Sequence, residues 1–157
     1  METRGRAQVA LPTEREIVIT RTFDAPRARV FDMWTKAEHV AHWWDPSGMP
    51  LAVCEIDLRP GGAFRFVHDG TGHVFAGNYR EIEPPSQLVF TTPAPSGTAS
   101  TGTLIFSAVG EATLLTMTIA CVSMADRDAL LAMRVDAGTI RSLDNLDEYL
   151  STVRSGS

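Results

Sequence analysis

The hydrophobic pattern of the chain begins as a strand and then changes to helical spacing. The segment Glu16–Phe23 (EIVITRTF) is rich in β-branched residues, which are typical of strands. Val30, Phe31 and Trp34 then fall on one side of a helix. The pattern therefore predicts one strand, a short helix around these three residues, and a second short helix over residues 36–44.

From Leu51 onward, short apolar segments alternate with turn sequences. The turn at residues 59–62 reads RPGG, with proline and glycine where a type II turn needs them. Strands joined by such short turns pair in an antiparallel way. The pattern predicts six consecutive strands, over residues 51–58, 63–68, 73–82, 87–92, 101–108 and 113–122.

The last part of the chain, residues 126–153, has a helical period and is predicted to form one long helix with Ser123 as its N-cap. On a helical wheel of 100° per residue, most apolar side chains fall on one face. This face comprises Ala132, Val135, Thr139, Leu143, Leu146, Leu150 and Val153. Asp144, Asp147 and Glu148 are interpreted as solvated charges at the end of the helix.

This order of elements predicts an α+β domain with a helix-grip architecture. One helix cannot cover both faces of about seven antiparallel strands, so the sheet must curl around it. Such an arrangement leaves a natural pocket between the sheet and the helix. We expect a single domain over residues 15–154 and a disordered arm over residues 1–14, which show no apolar periodicity.

Composition excludes several classes of function. The chain has 157 residues, with 14 basic and 19 acidic side chains and a net charge of −5, which argues against nucleic-acid binding. We find neither a membrane span nor the apolar core of a secretory signal. Cys54 and Cys121 are interpreted as buried, reduced thiols. These features predict a cytoplasmic protein that binds no membrane.

Several segments resemble the START-like (SRPBCC) helix-grip superfamily, within its bacterial branch similar to the C-terminal domain of the activator of heat-shock-protein-90 ATPase. The resemblance covers residues 16–150. Its segments are RTFDAP at 21–26, VF at 30–31, WW at 43–44, DLRPGG at 57–62, GNYREI at 77–82, PPSQLVF at 84–90 and SLDNL at 142–146. The superfamily includes co-chaperone domains, small-ligand carriers and polyketide-cyclase-like proteins. The resemblance therefore implies that this protein holds an apolar ligand or a protein partner.

One departure from the family falls on the last helix. Relatives commonly have Gly-Trp here, whereas this chain has Gly138 followed by Thr139. Ala132, Asp136 and Thr139 are small or polar where packing would favour bulk, which indicates that Asp136 and Thr139 line a pocket. The alternative is a close approach of helix and sheet, with Asp136 reaching solvent or an arginine.

Aromatic and flexible side chains are the candidates for the pocket wall. Phe64 and Phe66 share one strand face by the period of two, and one of Trp43 and Trp44 is expected to close the core while the other rims the pocket. His68 is a third polar candidate beside Asp136 and Thr139. The remaining predicted wall residues are Phe75, Met117, Ile119, Met133 and Ile140.

The chain carries no motif for catalysis or cofactor binding. His39 and His42 have a spacing that fits two ligands of one metal, but no Cys or acidic residue completes the set. A nucleophile elbow and a phosphate-binding loop are both missing from the sequence. We therefore expect no metal and no cofactor.

The function predicted from the sequence is reversible binding of a small, mostly hydrophobic molecule such as a lipid, polyketide or aromatic metabolite. Two alternatives remain open: a cyclase- or hydrolase-like enzyme with an acid/base in the cavity, and a chaperone-regulating interaction module. A closed apolar cavity would favour binding or catalysis over the interaction module. The sequence leaves open whether the domain forms a homodimer.

Overall fold

The computed structural model describes residues 7–93 and 96–156, the side chains of 153–156 excepted. Their strands are β1 Gln8–Ala10, β2 Glu16–Phe23, β3 Leu51–Ile56, β4 Ala63–His68, β5 Val74–Glu83, β6 Gln87–Pro93, β7 Ala99–Val109 and β8 Ala112–Ala120. The helices are α1 Arg27–Thr35, α2 Ala37–Trp43, α3 Met124–Ala132 and α4 Val135–Gly156.

The strands form one antiparallel sheet in the order β1-β2-β8-β7-β6-β5-β4-β3. This arrangement confirms the predicted α+β helix-grip class, with eight strands in the described residues where about seven were predicted. Among these residues no helix combines the length and the apolar character needed to span a bilayer.

Alternate residues along the strands face the helices and form the core. In β2 every second residue is buried, and Ile17, Ile19 and Phe23 are at most 1% exposed. From the other side, α4 inserts Leu143 and Leu146, which are equally buried. Each such side chain contributes roughly 1.5–3 kcal/mol through burial of apolar surface. The core thus lies on one face of the sheet, as the period-two pattern predicts.

The first strand, β1, occupies part of the predicted disordered arm. Gln8–Ala10 pairs with β2 in an antiparallel register in which Val9 lies opposite Ile19. Because the side chain of Val9 is 40% exposed, β1 is held mainly by backbone hydrogen bonds to the edge of β2. A three-residue strand without buried side chains leaves little periodicity in the sequence. Residues 1–6 lie outside the described part of the chain.

The helix predicted over residues 126–153 is interrupted, which corrects the prediction of one long helix. The α3 helix ends at Ala132, and Arg134 has a φ of 62°, in the left-handed region. A right-handed helix cannot continue through this conformation. The apolar spacing runs across the break without a glycine or proline, so the pattern contains no stop signal.

Replacing Arg134 with glycine is expected to stabilise the protein by about 0.5–1 kcal/mol. Glycine adopts the left-handed conformation without the steric cost that a Cβ atom imposes. The free energy of unfolding in urea measures the effect. Arg134→Ala is the matched control, which removes the charge but keeps the Cβ atom and should change stability little. Equal stabilisation by both variants would contradict the assignment of strain to this position.

The start of α3 is fixed by two polar residues. Ser123 is its N-cap, as predicted, and its Oγ accepts a hydrogen bond from the backbone N–H of Asp126 at 3.1 Å. The Asp126 side chain is buried and accepts hydrogen bonds from Ser96 Oγ at 2.8 Å and Thr98 Oγ1 at 3.2 Å. The loop before β7 is therefore tied to α3.

A buried arginine joins the sheet to α4. Arg21 of β2 is 3% exposed and faces the core side, where its guanidinium contacts Phe23 and donates a hydrogen bond to Asp144. Its second terminal nitrogen lies 3.5 Å from Asp147. Asp144 and Asp147 are therefore partners of a buried cation, rather than merely solvated charges at the end of the helix.

Candidate functional site

A cavity of about 200 Å³ lies between the N-terminal half of α4, the first two helices and the inner face of the sheet. This is the position in which the sequence predicts a pocket. The described residues that border it are Trp34, Trp43, Trp44, Pro46, His68, His73, Phe75, Met117, Val135, Gly138, Thr139, Ser142 and Leu143.

Aromatic rings form most of the wall. All three tryptophans of the chain border the cavity, and the Trp34 ring lies edge-on to Trp43 with a centroid distance of 4.7 Å. Trp44 packs at 5.0 Å against both Phe66 and Phe75. Interlocked rings of this kind have few accessible rotamers, so the wall is rigid as well as apolar.

A second, smaller void of about 20 Å³ lies behind this wall. Trp34, Trp44 and Phe75 separate the two, because they border both. The other residues around the smaller void are Phe64, Phe66, Tyr79, Leu88 and Phe90.

Two glycines make room for the rings. A Cβ atom on Gly77 of β5 would lie 2.1 Å from the carbonyl oxygen of Thr91 and 2.8 Å from Cζ of Phe64. A Cβ atom on Gly102 of β7 would lie 2.5 Å from the ring of Phe90. Phe64 and Phe90 can therefore lie against bare backbone and meet edge-on at 5.5 Å.

Polar groups meet at the edge of the cavity formed by β4 and β5. Asp45, in the loop after α2, is 6% exposed, and its Oδ2 lies 3.5 Å from Nδ1 of His68. The His68 ring stands perpendicular to that of His73, with a centroid distance of 5.4 Å. The backbone N–H of Ser47 donates to Oδ1 of Asp45 at 3.0 Å, and Asn145 of α4 donates to the Asp45 carbonyl oxygen at 2.9 Å.

The indole nitrogens of the wall are not equivalent. Nε1 of Trp43 donates to the carbonyl oxygen of Met33 at 3.0 Å. Nε1 of Trp34 is buried, and the described residues offer it no hydrogen-bond partner. A buried donor without a partner costs roughly 1–3 kcal/mol, and a polar atom of a bound molecule could reduce that cost.

Most of the predicted site residues lie at these two voids. The cavity is bordered by Trp43, Trp44, His68, Phe75, Met117 and Thr139, and the smaller void by Phe64 and Phe66. Ile119, Met133, Asp136 and Ile140 border neither void in the described structure. Direct contact with a ligand stays a prediction for every residue of the set.

On the C-terminal segment, the cavity is bordered by one face of α4. Val135, Gly138, Thr139 and Ser142 form the stripe of α4 that faces the cavity, with the spacing of one helix face. Asp136 and Ile140 each lie more than about 90° around the helix from the centre of this stripe. Met133 precedes the break and is 62% exposed.

Trp34 is the main wall residue that the sequence analysis did not assign to the site. Its spacing with Val30 and Phe31 indicates a core-facing helix position, and it is 6% exposed. The same pattern is expected whether such a residue faces a cavity or solid core. Ser142 was missed for a different reason: its hydroxyl donates to the Trp44 carbonyl oxygen at 2.6 Å, a contact across 98 residues of sequence.

The two wider grooves of the structure lie elsewhere. One, of about 610 Å³, is lined largely by small and polar side chains on the outer face of the sheet, among them Ala63, Ala76 and Asn78. The other, of about 430 Å³, includes His42 and Tyr149. Near this groove, His39 Nδ1 lies 2.8 Å from the Tyr149 hydroxyl oxygen, and the His42 ring stacks on the ring of Tyr149.

No group of metal-ligating side chains occurs in the part of the chain that the structure describes.

The two cysteine thiols are poor nucleophiles, because burial raises the pKa of each. Cys54 and Cys121 are both free. Burial raises the pKa of Cys54 to about 11 and also raises the pKa of Cys121. Because the thiolate is the reactive form, both side chains stay protonated near neutral pH. The folded pKa of Cys54 lies above its unfolded value, so the stability linked to this thiol is full below about pH 9 and falls as the pH rises towards 11.

The same fold occurs in solved structures of bacterial proteins. A protein of Rhodobacter sphaeroides has 20% identity and a TM-score of 0.82, covering 94% of this chain and 99% of its own. A protein of Nitrosomonas europaea has 22% identity and a TM-score of 0.81, covering 92% and 99%. A Rhizobium leguminosarum protein has 29% identity and a TM-score of 0.64, covering 93% and 97%.

No curated protein matches the chain. Residues 24–151, by contrast, match the family described as Activator of Hsp90 ATPase homolog 1-like protein. The match spans both short helices, most of the sheet and most of α4, so it includes the cavity wall. The chain therefore belongs to the family of Activator of Hsp90 ATPase homolog 1-like proteins.

Proposed function

We propose that this protein reversibly binds a small hydrophobic ligand in the cavity between α4 and the sheet. The observation that carries the proposal is the lining of the cavity by all three tryptophans together with Phe75 and Met117. Apolar pockets with few polar groups are typical of small-molecule sites. The polar groups at this wall are few, and they are concentrated near His68 and Thr139.

The size of the cavity favours a compact aromatic ligand over a lipid or an extended polyketide. Pockets for drug-sized ligands have volumes of roughly 300–1,000 Å³, whereas an engineered apolar cavity of about 150 Å³ binds benzene. The cavity of about 200 Å³ falls between these cases. We therefore expect a ligand of one or two fused rings.

Substituting Thr139 with tryptophan is expected to weaken binding of 2-methylnaphthalene at least tenfold, about 1.4 kcal/mol of binding free energy. Thr139 faces the cavity from α4, and an indole at this position fills space that the ligand would occupy. The affinity is measured by titration of the ligand's own fluorescence. Circular dichroism and urea unfolding establish that the variant is folded.

Two controls separate filling of the cavity from general effects. Arg141→Trp places the same indole on the exposed side of α4 and should leave the affinity unchanged. Asp136→Asn tests the neighbouring helix face that does not border the cavity and should also have no effect. Undiminished binding to folded Thr139→Trp, or no binding to the wild type, would reject the proposed site.

A further inference from the structure

We propose that the cavity selects a neutral aromatic ligand that carries a hydroxyl group, and that His68 recognises this hydroxyl through Nε2. The inference rests on the proposed function and defines the ligand class of the same site. It is carried by the Asp45–His68 contact at the cavity edge, which fixes how the imidazole can be used.

Asp45 determines which nitrogen of His68 carries the proton. Its carboxylate is almost completely buried, and Oδ2 lies 3.5 Å from Nδ1 of His68. A lone pair on Nδ1 would face the negative charge on the buried Oδ2, whereas an N–H is attracted to it, so in the neutral ring the proton is favoured on Nδ1. In the neutral ring, Nε2 is then the hydrogen-bond acceptor.

The surrounding contacts hold this pair in place. Oδ1 of Asp45 is occupied by the N–H of Ser47, and the Asp45 carbonyl oxygen by Asn145. The backbone N–H of His68 donates to the carbonyl oxygen of His73 at 2.8 Å. The carboxylate of Asp45 and the backbone of His68 are thus both held in place before a ligand binds. Less conformational entropy is therefore lost when the ligand binds.

Nε2 of His68 is the nitrogen left for a ligand. The residue borders the cavity with its side chain 15% exposed, and within the described structure no residue hydrogen-bonds to Nε2. His73 also borders the cavity, but it is exposed and its ring packs against the side of His68. A hydroxyl group can donate to Nε2, whereas a methyl group of similar size cannot.

The charges around the site disfavour an anionic ligand. No lysine or arginine is among the described residues that border the cavity. A carboxylate placed next to His68 would face the buried carboxylate of Asp45 behind the ring, without a cation of its own. Like charges at such short range repel strongly in a poorly solvated site. The hydroxyl-bearing ligand is therefore expected to be neutral.

A set of three naphthalenes tests the inference at neutral pH. The ligands are 2-naphthol, which can donate a hydrogen bond, 2-methylnaphthalene, which has similar size but no donor, and 2-naphthoate, which is anionic. The wild type should bind 2-naphthol about fivefold more tightly than 2-methylnaphthalene, as expected for one hydrogen bond. It should bind 2-naphthoate more weakly than 2-naphthol.

Variants identify the group responsible. In His68→Phe the preference for 2-naphthol should be lost or reversed, while 2-methylnaphthalene binds as before. Asp45→Asn retains the His68 ring but no longer fixes its tautomer, and it should reduce the preference even if His68→Phe fails to fold. His42→Gln, on the exposed side of α2 and away from the cavity, is the control and should leave all three affinities unchanged.

The outcomes separate this inference from the proposed function. Binding of both neutral ligands with equal affinity, a preference that survives in His68→Phe, or tighter binding of 2-naphthoate would overturn the inference while leaving the binding function intact. If neither neutral ligand binds, the proposed function fails and the inference fails with it. Tight binding of 2-naphthol that depends on His68 and Asp45 supports both.

Discussion

Replacing Asp144 and Asp147 together with asparagine is expected to lower the free energy of unfolding by about 2–3 kcal/mol. Both carboxylates are half-exposed, at 58% and 46%, and would be of little importance as isolated surface charges. Their partner, however, is the guanidinium of Arg21, which is 3% exposed. Without them, the guanidinium has no other carboxylate partner among the described residues and keeps its contact with the ring of Phe23.

Removing the arginine itself should cost less than removing its two partners. In Arg21→Met, an unbranched apolar side chain fills much of the same space, and the carboxylates regain water because they are half-exposed. We expect a loss of about 1 kcal/mol or less for this variant. Combined with the two asparagine substitutions, Arg21→Met should restore most of the lost stability.

Urea unfolding of the four proteins measures these differences. If Arg21→Met were as destabilising as the double asparagine variant, or failed to rescue it, the burial of an unpaired cation would not be the cause. The result matters for the site as well, because this ion pair positions α4 on β2, and the same helix carries Thr139 and Ser142 at the cavity wall.

Gly77→Ala is expected to destabilise the protein by about 3 kcal/mol, the upper part of the range for overpacked cores. The added Cβ atom would lie 2.1 Å from the carbonyl oxygen of Thr91, which is backbone and cannot rotate away. The strands β5 and β6 would have to separate to relieve this contact, and Phe64, whose Cζ would lie 2.8 Å from the new atom, would also have to move. The free energy of unfolding is again the measurement.

The neighbouring substitution Ala76→Ser is the matched control for Gly77→Ala. It also adds one heavy atom to β5, but on the outer face of the sheet, where a wide groove offers room. This variant should change stability by no more than about 0.5 kcal/mol. Similar losses for both variants would show that β5 is sensitive to any added atom and would contradict the steric explanation.

Much of the sheet could be predicted because its signals are local. The alternation in Glu16–Phe23 and the turn at residues 59–62 each depend on side chains a few positions apart. The same period of two places Phe64 and Phe66 on the inner face of the sheet, where they border the smaller void. The cap at Ser123 was equally local, since the residue it caps, Asp126, is three positions away.

The sequence could not show where the candidate site lies in detail. The stripe of α4 that faces the cavity depends on the break at Arg134, and nothing in the local pattern marks that break. A helical wheel drawn through the break places Met133 beside the apolar face of the long helix, whereas in the structure Met133 precedes the break and is 62% exposed. Trp34 was missed because burial in a solid core and burial beside a cavity leave the same pattern.

The sequence by itself determined the α+β class, the succession of antiparallel strands from Leu51 onward and the inner faces of strands such as Glu16–Phe23, because periodicity and turn chemistry act over a few residues. Only the tertiary structure decided which distant side chains meet. Arg21 reaches Asp144 across 123 residues, and Asp45 approaches His68 across a turn and a strand. Such contacts depend on how the helices are placed on the sheet, and the energy of a buried charge depends on the partners that this placement provides.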